Sequence, residues 1–306
     1  NSEFISGKSE YRKKKDIYDK LLSKKIDILF GTHAVFQKKI NFKKLGLIVI
    51  DEQHKFGVNQ RKKLSDKGGN SCDVLVMSAT PIPRTMMMTV YGDMDISLIK
   101  TKPKNRKPIK TYSKNEKKIN EVIKNIKKQI LNKNQIFWVC PLINESKKID
   151  HESAIQKYKI LNKIFNNKVD IIHGAMDKNQ KDLVLKKFKN RAIDILVSTT
   201  VIEVGIDFPN ANVIVIENAN KYGLSQLHQL RGRVGRGNKE ASCILMFKSN
   251  LSENARKRIS ILKNNNDGFK IAEEDLKIRG YGDILGFKQS GIKKYNLADP
   301  MQHKDL

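Results

Sequence analysis

Two adjacent carboxylates follow an apolar run near the start of the chain. Asp51 and Glu52 come directly after LGLIVI at 45–50, a short apolar segment typical of a buried strand. Because ligands of open α/β sheets bind beyond the carboxyl ends of the strands, the two acids could take different chemical roles. Asp51 could hold Mg²⁺ through water, since Mg²⁺ favours carboxylate and phosphate oxygens, and Glu52 could orient or deprotonate an attacking water. Taken alone, a pair of acids in an exposed turn is the simpler interpretation.

Hydroxyl groups follow a second apolar run. Ser78 and Thr80 open the segment SATPIPRT at 78–85. Such hydroxyls can hydrogen-bond the acids or His54 and relay the state of a bound nucleotide. A Ser/Thr turn before two prolines is the alternative for this segment alone, but it fits poorly beside the carboxylate pair.

An arginine- and glycine-rich segment, QLHQLRGRVGRG at 226–237, is the strongest candidate for phosphate chemistry. Its glycines at 232, 235 and 237 let the backbone approach closely. Arg231, Arg233 and Arg236 are expected to project planar charge, which suits phosphate oxygens. An arginine finger can raise a phosphoryl-transfer rate by roughly 10³–10⁵. The alternative, an RG-rich RNA-binding patch, is disfavoured because the segment lies on a predicted helix after a strand.

A further polar segment, STTVIEVGIDFPNA at 198–211, also begins at the end of a predicted strand. Thr199 and Thr200 could reach a nucleic-acid phosphate there. Asp207 could accept a hydrogen bond from a ribose hydroxyl, and Glu203 and Gly205 lie between these residues.

The elements that would position these residues follow an alternating pattern. Short apolar runs alternate with amphipathic charged stretches, as expected for parallel sheets flanked by helices, so the predicted fold class is α/β. A basic segment at 100–108 is typical of a solvated linker, and it separates a first unit that is short of strands from a second unit. From 249 onward the sequence turns helical and then Gly-rich, which adds a third element. The predicted strands are at 26–30, 45–50, 74–79, 135–140, 169–174, 193–200, 211–218 and 241–247.

One helix of the second unit has a clear start signal. In DKNQKDLVLKKFKN, Asp177 can cap the helix with Gln180 at the third helical position. Leu183, Val184 and Phe188 are expected to form its inward stripe.

The chain carries a large excess of positive charge. Its 60 basic and 32 acidic residues give a net charge of +28, which indicates a polyanionic partner, nucleic acid before anionic membrane; a Lys-rich composition bias explains part of the excess. No apolar run approaches the roughly 20 residues of a membrane span. The start has no signal-peptide pattern and no initiator Met. Cys72, Cys140 and Cys243 have no CxxC spacing, which favours reduced thiols packed in cores over a zinc or disulfide site.

The motifs together resemble a known class of enzymes. In this order, DEQH, SATPIPRT, STTVIEVGID and QLHQLRGRVGRG resemble motifs II, III, V and VI of superfamily 2 helicases. GTHAVF at 31–36 and IHGAM at 172–176 resemble motifs Ib and IV. The chain is similar to the RecG-type DNA helicase family in DEQHKFGVNQR, FWVCPLINES and NNDGFKIAEEDLKIRGYGDILGFKQSG. The transcription-repair coupling factor shares the last segment, but DEQH in place of its DEEQ, and NDGF before DLKIRG, favour the RecG type.

This resemblance implies a fold and a division into domains. Two RecA-like parallel-sheet lobes are expected, at 1–102 (motifs Ib, II and III, N-terminally incomplete) and at 103–248 (motifs IV, V and VI). A helical hairpin and loop at 249–306 is expected to couple nucleotide state to translocation on duplex DNA.

The resemblance also implies an activity: an ATP-dependent helicase that remodels replication forks and Holliday junctions in recombination and repair. Mg²⁺-ATP is expected between the lobes, with Asp51 on the metal, Glu52 on water, and Arg233 and Arg236 at the γ-phosphate. The residues expected to bind or sense the nucleotide are His54, Ser78, Thr80, Glu203, Gly205, Asp207 and Gln229. The expected DNA contacts are Thr32, His33, Thr199 and Thr200, and the residues expected to tie the hairpin together are Arg258, Arg279 and Gln289.

The resemblance extends to surroundings and partners. It implies a bacterial, cytoplasmic, nucleoid-associated monomer that acts on branched or duplex DNA, without a membrane partner. Single-stranded DNA-binding protein is a candidate protein partner.

A phosphate-cradling loop of the form G-x-x-x-x-G-K-[ST] is not found. SGKSE at 6–10 matches only its tail, because Ser2 stands where the first glycine should be and no apolar strand is expected before it. We therefore interpret Lys8 as a turn or DNA-backbone residue and the chain as the C-terminal portion of a RecG protein, without ATP turnover on its own. Three alternatives stay open: a DNA-binding module without ATPase activity, an RNA-directed DExH enzyme, and a fragment whose exposed strand edges prevent folding.

Overall fold

The chain divides into two units, Asn1–Ala79 and Thr80–Leu306. The structure is a computed structural model. It describes residues 1–37, 39–52, 67–68, 72–78, 95–101, 103, 106–141, 147–199 and 207–279, without the side chains of 147–153 and 279. In the described part of the chain, no helix has the length and apolar character needed to cross a membrane.

The first unit contains two pairs of parallel strands. Its described elements are β1 (Ser2–Ile5), α1 (Tyr11–Leu22), β2 (Ile28–Gly31), a 3₁₀ helix (His33–Phe36), β3 (Leu47–Ile50) and β4 (Asp73–Val76). Strand β1 pairs with β2, and β3 pairs with β4, both in parallel. A parallel pair needs a crossover connection, and α1 provides it between β1 and β2.

In the described part of the first unit, each strand pair has one face with buried apolar residues. Ile5 packs with Ile17 and Leu21 of α1 on the covered face of the first pair, and Ile48 and Ile50 are buried on the second. On the opposite faces, six large apolar side chains are between 49% and 57% exposed: Phe4, Ile28, Phe30, Leu47, Val49 and Leu75. Parallel sheets are normally covered on both faces, so exposure of about half of each of these six side chains is unusual for parallel strands.

The second unit is built on one six-stranded parallel sheet. Its strands are β5 (Lys110–Asn115), β6 (Gln135–Val139), β7 (Val169–Ile172), β8 (Ile195–Ser198), β9 (Ala211–Ile216) and β10 (Ser242–Phe247). They lie in the order β5-β10-β9-β6-β8-β7. The helices are α2 (Ile119–Leu131), α3 (Lys147–Ile164), α4 (Lys178–Lys189), α5 (Leu224–Arg231), α6 (Glu253–Asn264) and α7 (Gly268–Arg279).

Both faces of this sheet carry an apolar core. On one face, the rings of Phe137, Phe188 and Phe208 lie with centroids 5.2–5.8 Å apart, beside apolar residues of α4 and α5. On the other face, Trp138 is fully buried among residues of α2 and α3. The near-continuous apolar sequences of β6, β8 and β9 follow from this burial on both sides.

All eight predicted strands are present, in slightly shorter form, and two more occur that were not predicted. The statement that no strand precedes the turn at SGKSE is wrong, because β1 ends at Ile5. Strand β5 was also missed, since KTYSKN has few apolar residues and follows the predicted linker. An edge strand needs little apolar sequence, because only one side of it meets a neighbour.

Helix α4 confirms the predicted start and corrects the predicted stripe. Asp177 accepts a hydrogen bond from the Gln180 backbone amide at 2.9 Å, and the Gln180 side chain accepts one from the Asp177 amide at 3.3 Å. Val184 and Phe188 are buried, but Leu183 is 57% exposed. Val184 and Phe188 are four residues apart and share a face, whereas Leu183 lies about 100° away from Val184 around the helix axis.

The structure places the three cysteines at separate positions as free thiols. Cys140 and Cys243 are buried in the second unit, and Cys72 is partly buried in the first.

Candidate nucleotide and DNA site

The carboxylate pair lies at the carboxyl edge of the β3–β4 sheet. Asp51 and Glu52 follow β3 directly, and Ser78 follows the neighbouring strand β4, whose Val76 is in register with Ile50. The main-chain amide of Met77 donates to the Ile50 carbonyl at 2.7 Å, which extends the pairing to the edge. The register therefore brings the acids and the Ser78 hydroxyl group to one edge, as the predicted site requires.

The turn at the carboxylate pair has an uncommon backbone. Glu52 has a φ of 51°, in the left-handed region that non-glycine residues seldom adopt. The Asp51 carboxylate accepts a hydrogen bond from the Glu52 amide at 2.8 Å. Asp51 is exposed, so its carboxylate is open to water and could carry a hydrated Mg²⁺ ion.

The turn at residues 6–9 is not a phosphate loop. Ser2, where the first glycine of such a loop would stand, lies inside β1. The Ser9 amide donates to the Ser6 carbonyl, and the Ser6 amide donates to the Ser9 hydroxyl oxygen. A Cβ atom on Gly7 would meet nothing within 4 Å. The segment is thus an ordinary turn, as interpreted from the sequence, and Lys8 on it is exposed.

The predicted DNA contacts of the first unit lie just after β2. Thr32 and His33 are both exposed. Thr32 precedes the 3₁₀ helix and its amide donates to the Ile5 carbonyl at 3.2 Å. Gly31 before them lies in a tight position, because a Cβ atom there would lie 2.3 Å from a Val35 methyl group and 3.0 Å from the Ile5 carbonyl oxygen.

In the second unit, the predicted nucleotide residues converge around α5 and the loop after it. Arg236 lies 3.9 Å from the Asp207 carboxylate and is partly exposed. Gln229 and Arg233 are half-buried. Gly235 has a φ of +71°, and a Cβ atom on Gly237 would lie 2.8 Å from the Pro209 carbonyl oxygen. Glycine therefore fits these two positions for reasons within the chain itself, and the predicted approach to a phosphate stays a prediction.

Arg106 was missed as a member of this cluster. Its guanidinium donates to the Gly232 carbonyl at 3.2 Å. Burial lowers the pKa of Arg106, and the neighbouring Arg236 cation lowers it further. A basic linker sequence gives no signal for such a contact, because the residue meets the arginine segment only in the folded chain.

The expectation that Arg231 projects its charge outward is wrong. Only 2% of Arg231 is exposed. Its guanidinium donates to the carbonyl oxygens of Leu262 and Asn265 at 2.7 and 2.8 Å. Arg231 therefore contacts the end of α6, and Arg233 and Arg236 are the two partly exposed arginines of the segment.

Thr199 is 3% exposed at the end of β8, so its side chain is covered in this structure. Nearby, the carboxyl ends of β6 and β9 are joined by Glu217, which accepts a hydrogen bond from the Trp138 indole at 3.0 Å and pairs with Lys157 at 2.7 Å. His54, Thr80, Thr200, Glu203, Gly205 and Gln289 lie outside the described residues, as does the side chain of Arg279.

Two helices, α6 and α7, joined by residues 265–267, lie within the range 249–306 of the predicted hairpin and loop. The rest of that range from residue 280 onward lies outside the described residues. Arg258 of α6 donates to the Asn220 carbonyl at 3.1 Å. This contact ties the hairpin to the segment before α5.

Two general helicase models match the two units. The DEAD/DEAH box helicase model matches residues 2–89, and the helicase conserved C-terminal domain matches 117–238. Saccharomyces cerevisiae Dbp5, bound to RNA and ADP BeF3, shares the fold at a TM-score of 0.59 and 16% identity, over 91% of this chain and 74% of that one. The sheets and site edges thus define a superfamily 2 helicase core with two RecA-like parallel-sheet lobes.

More specific relatives place the chain within this class. The C-terminal model of domain 3 of the ATP-dependent DNA helicase RecG matches residues 265–300. RecG of Bacillus subtilis is 46% identical over 94% of this chain and 42% of its own length. RecG of Thermotoga maritima is 47% identical over 96% and 38%. A structure of RecG bound to a three-way DNA junction is 42% identical, with a TM-score of 0.73, over 99% of this chain and 39% of that one.

The chain belongs to the RecG family of ATP-dependent DNA helicases. It spans about two fifths of the length of the curated relatives it matches. The RecG-specific model matches residues 265–300, which agrees with the prediction of a RecG-type helicase instead of a transcription-repair coupling factor.

Proposed function

We propose that this chain forms motor elements of an ATP-dependent DNA helicase that remodels branched DNA, such as replication forks and Holliday junctions, in recombination and repair. The observation that carries the proposal is the match, over 99% of the chain, to a RecG that was solved on a three-way DNA junction. The net charge of +28 supports a polyanionic partner. The boundaries 1–102, 103–248 and 249–306 are part of the proposal.

The proposed chemistry assigns a role to each charged group. Asp51 would hold Mg²⁺ through water, and the metal would offset charge on the ATP phosphates. Glu52 would orient the attacking water. Arg233 and Arg236 would stabilise negative charge at the γ-phosphate. Asp207, whose carboxylate lies 3.9 Å from Arg236 in the same unit, would accept a hydrogen bond from a ribose hydroxyl of the nucleotide.

The remaining residues extend the site toward the nucleotide, the DNA and the hairpin. His54, Ser78, Thr80, Glu203, Gly205 and Gln229 would bind or sense the nucleotide. Thr32, His33, Thr199 and Thr200 would contact DNA, and Arg258, Arg279 and Gln289 would tie the hairpin. Since Thr199 is covered, its contact would require a rearrangement at the end of β8. We further propose a cytoplasmic, nucleoid-associated monomer, with single-stranded DNA-binding protein as a candidate partner.

A phosphate-release assay tests this proposal. The 306-residue chain is compared with a chimaera that adds the upstream part of the Bacillus subtilis relative, each with and without branched DNA. We expect DNA-stimulated ATP hydrolysis by the chimaera only, because no phosphate loop is formed at residues 2–9. Glu52→Gln should abolish it, whereas Glu10→Gln, a change of an exposed acid outside the site, should leave it intact. Hydrolysis unaffected by Glu52→Gln would refute the assigned chemistry.

A second candidate function is a DNA-binding module without ATP turnover. The strand that occupies Ser2–Ile5, where a phosphate loop would begin, favours it for the isolated chain. Binding dominated by phosphate contacts should weaken steeply with salt, with a slope near −0.9 per neutralised phosphate on a logarithmic scale. Binding of branched DNA that does not change with salt, or a preference for single-stranded RNA, would contradict this candidate.

A further inference from the structure

The buried Arg231 guanidinium caps the end of a helix. The carbonyl oxygens of Leu262 and Asn265, which accept its Nη1 hydrogen bonds at 2.7 and 2.8 Å, lie at the C-terminal end of α6. The last four carbonyls of a helix have no partner within it, and the negative end of the helix dipole favours a cation there. The same nitrogen lies 3.4 Å from the Thr111 hydroxyl of β5.

The charge of Arg231 is held by neutral groups. Among the described residues, no carboxylate forms an ion pair with it. Burial lowers the pKa of Arg231, yet arginine remains charged in proteins. A buried cation is costly unless it is hydrogen-bonded, so the bonds to α6 are what make the buried position of this side chain tolerable.

Arg231 also lies beside a neighbouring histidine. Its Nη2 lies 3.2 Å from Nδ1 of His228, which precedes it by three residues on α5. A guanidinium has donors only, so Nδ1 must be the acceptor. A hydrogen bond between these two nitrogens therefore requires a His228 ring without a proton on Nδ1.

Two other polar contacts join the same elements. The Ser225 hydroxyl at the start of α5 donates to the Asp275 carboxylate of α7. Arg258 of α6 donates to the Asn220 carbonyl ahead of α5. The helix of motif VI therefore has hydrogen bonds to both helices of the hairpin.

We propose that Arg231 is a positioning residue that fastens α5 to the end of α6 and holds His228 as the Nε2–H tautomer, and that it is not a nucleotide ligand. Arg233 and Arg236 follow on the same segment, so a displacement of these two arginines would move the hairpin with α5. Only this last consequence rests on the proposed function; the contacts and the tautomer do not depend on ATP.

The first test uses the unaltered chain. Nitrogen-15 NMR of the histidine side chains, with the His228 signals assigned from a His228→Gln variant, should show an unprotonated Nδ1 and a protonated Nε2 near neutral pH. A proton on Nδ1, or a doubly protonated ring, would overturn the proposal without any change at Arg231.

The second test compares Arg231→Gln and Arg231→Lys with Arg256→Gln, which removes an exposed arginine of α6. Hydrogen bonds to charged groups are strong enough that their loss should speed amide exchange at residues 262–268 by roughly tenfold to a hundredfold. Arg231→Gln should give this local increase together with a mixture of His228 tautomers. Arg231→Lys, which keeps a charged donor, should restore part of the protection, and Arg256→Gln should change neither.

The pattern of exchange separates positioning from general stabilisation. If Arg231→Gln speeds amide exchange equally in β9 and at the end of α6 and leaves the His228 tautomer unchanged, Arg231 only stabilises the unit. That result would refute the proposal. Because neither measurement involves ATP or DNA, inactivity in the phosphate-release assay would leave the result intact.

Discussion

Gln135 is a buried polar residue whose removal should have a measurable effect on the second unit. It opens β6, is 3% exposed, and its side-chain amide donates to the carbonyl oxygens of Phe188 and Ile193 at 2.7 and 2.9 Å. These bonds connect β6 to the end of α4 and to the start of β8. Gln135→Leu keeps the approximate size of the side chain and removes both donors.

The expected loss in the free energy of unfolding follows from the two hydrogen bonds. Each contributes about 1 kcal/mol net to the free energy of unfolding. The Phe188 carbonyl keeps a second donor, the Arg191 amide at 3.1 Å, so the added penalty of a poorly satisfied carbonyl falls mainly on Ile193. We expect a total loss of about 2–3 kcal/mol, which corresponds to a fall in Tm of roughly 4–12 °C for a unit of this size.

The single tryptophan makes the assay specific for this unit. Trp138 is the only Trp of the chain, and it is fully buried in β6, so its fluorescence in urea reports unfolding of the second unit. The matched control is Gln156→Leu on the exposed side of α3, which should shift stability by less than about 0.5 kcal/mol. A Gln135→Leu midpoint equal to that of the unaltered chain, or an equal loss in the control, would refute the reasoning.

Three further predictions concern a helix cap and the three thiols. Asp177→Ala removes the capping box of α4 and should lower the free energy of unfolding by about 1 kcal/mol, measured by Trp fluorescence; an equal loss in Asp182→Ala, an exposed acid of the same helix, would contradict it. Burial raises the pKa of Cys140, and it raises that of Cys243 to about 12, above the roughly 8.5 of an unfolded thiol. Above pH 8.5 the unfolded chain releases protons that the folded chain keeps, so stability should fall as the pH rises; urea midpoints that stay constant from pH 8 to 10 would contradict this. At pH 8 a thiol reagent should label Cys72 before the other two, and simultaneous labelling of all three would contradict the burial.

The fold was predictable where the sequence carries periodic apolar runs. The interior strands β6, β8 and β9 are recognisable because burial on both faces demands nearly continuous apolar residues. Strand β5 was not predicted because it forms by pairing with β10, which lies far away in the sequence. Leu183 was misplaced because three apolar residues close together need not share one face of a helix.

The candidate site was predictable at the level of motifs and less so at the level of single side chains. Asp51, Glu52 and Ser78 could be placed at one edge because they follow neighbouring parallel strands. The burial of Arg231 and the contact of Arg106 could not be predicted, since each depends on a carbonyl group supplied by a distant segment. The sequence of a phosphate-type motif is the same whether its arginine binds a ligand or the end of a helix.

The position of β5 has a consequence for how the second unit forms during synthesis. Among the described strands, β5 lies at one edge of the sheet and pairs with β10, and the ion pair of its Lys110 with Glu240 joins residues 130 positions apart. At a translation rate of 5–20 residues per second, β5 waits roughly 7–26 seconds for its partner to be made. The lysines of β5 keep the unpaired strand hydrated and disfavour pairing with other chains. The polar sequence that made β5 hard to predict therefore also protects the nascent protein from aggregation.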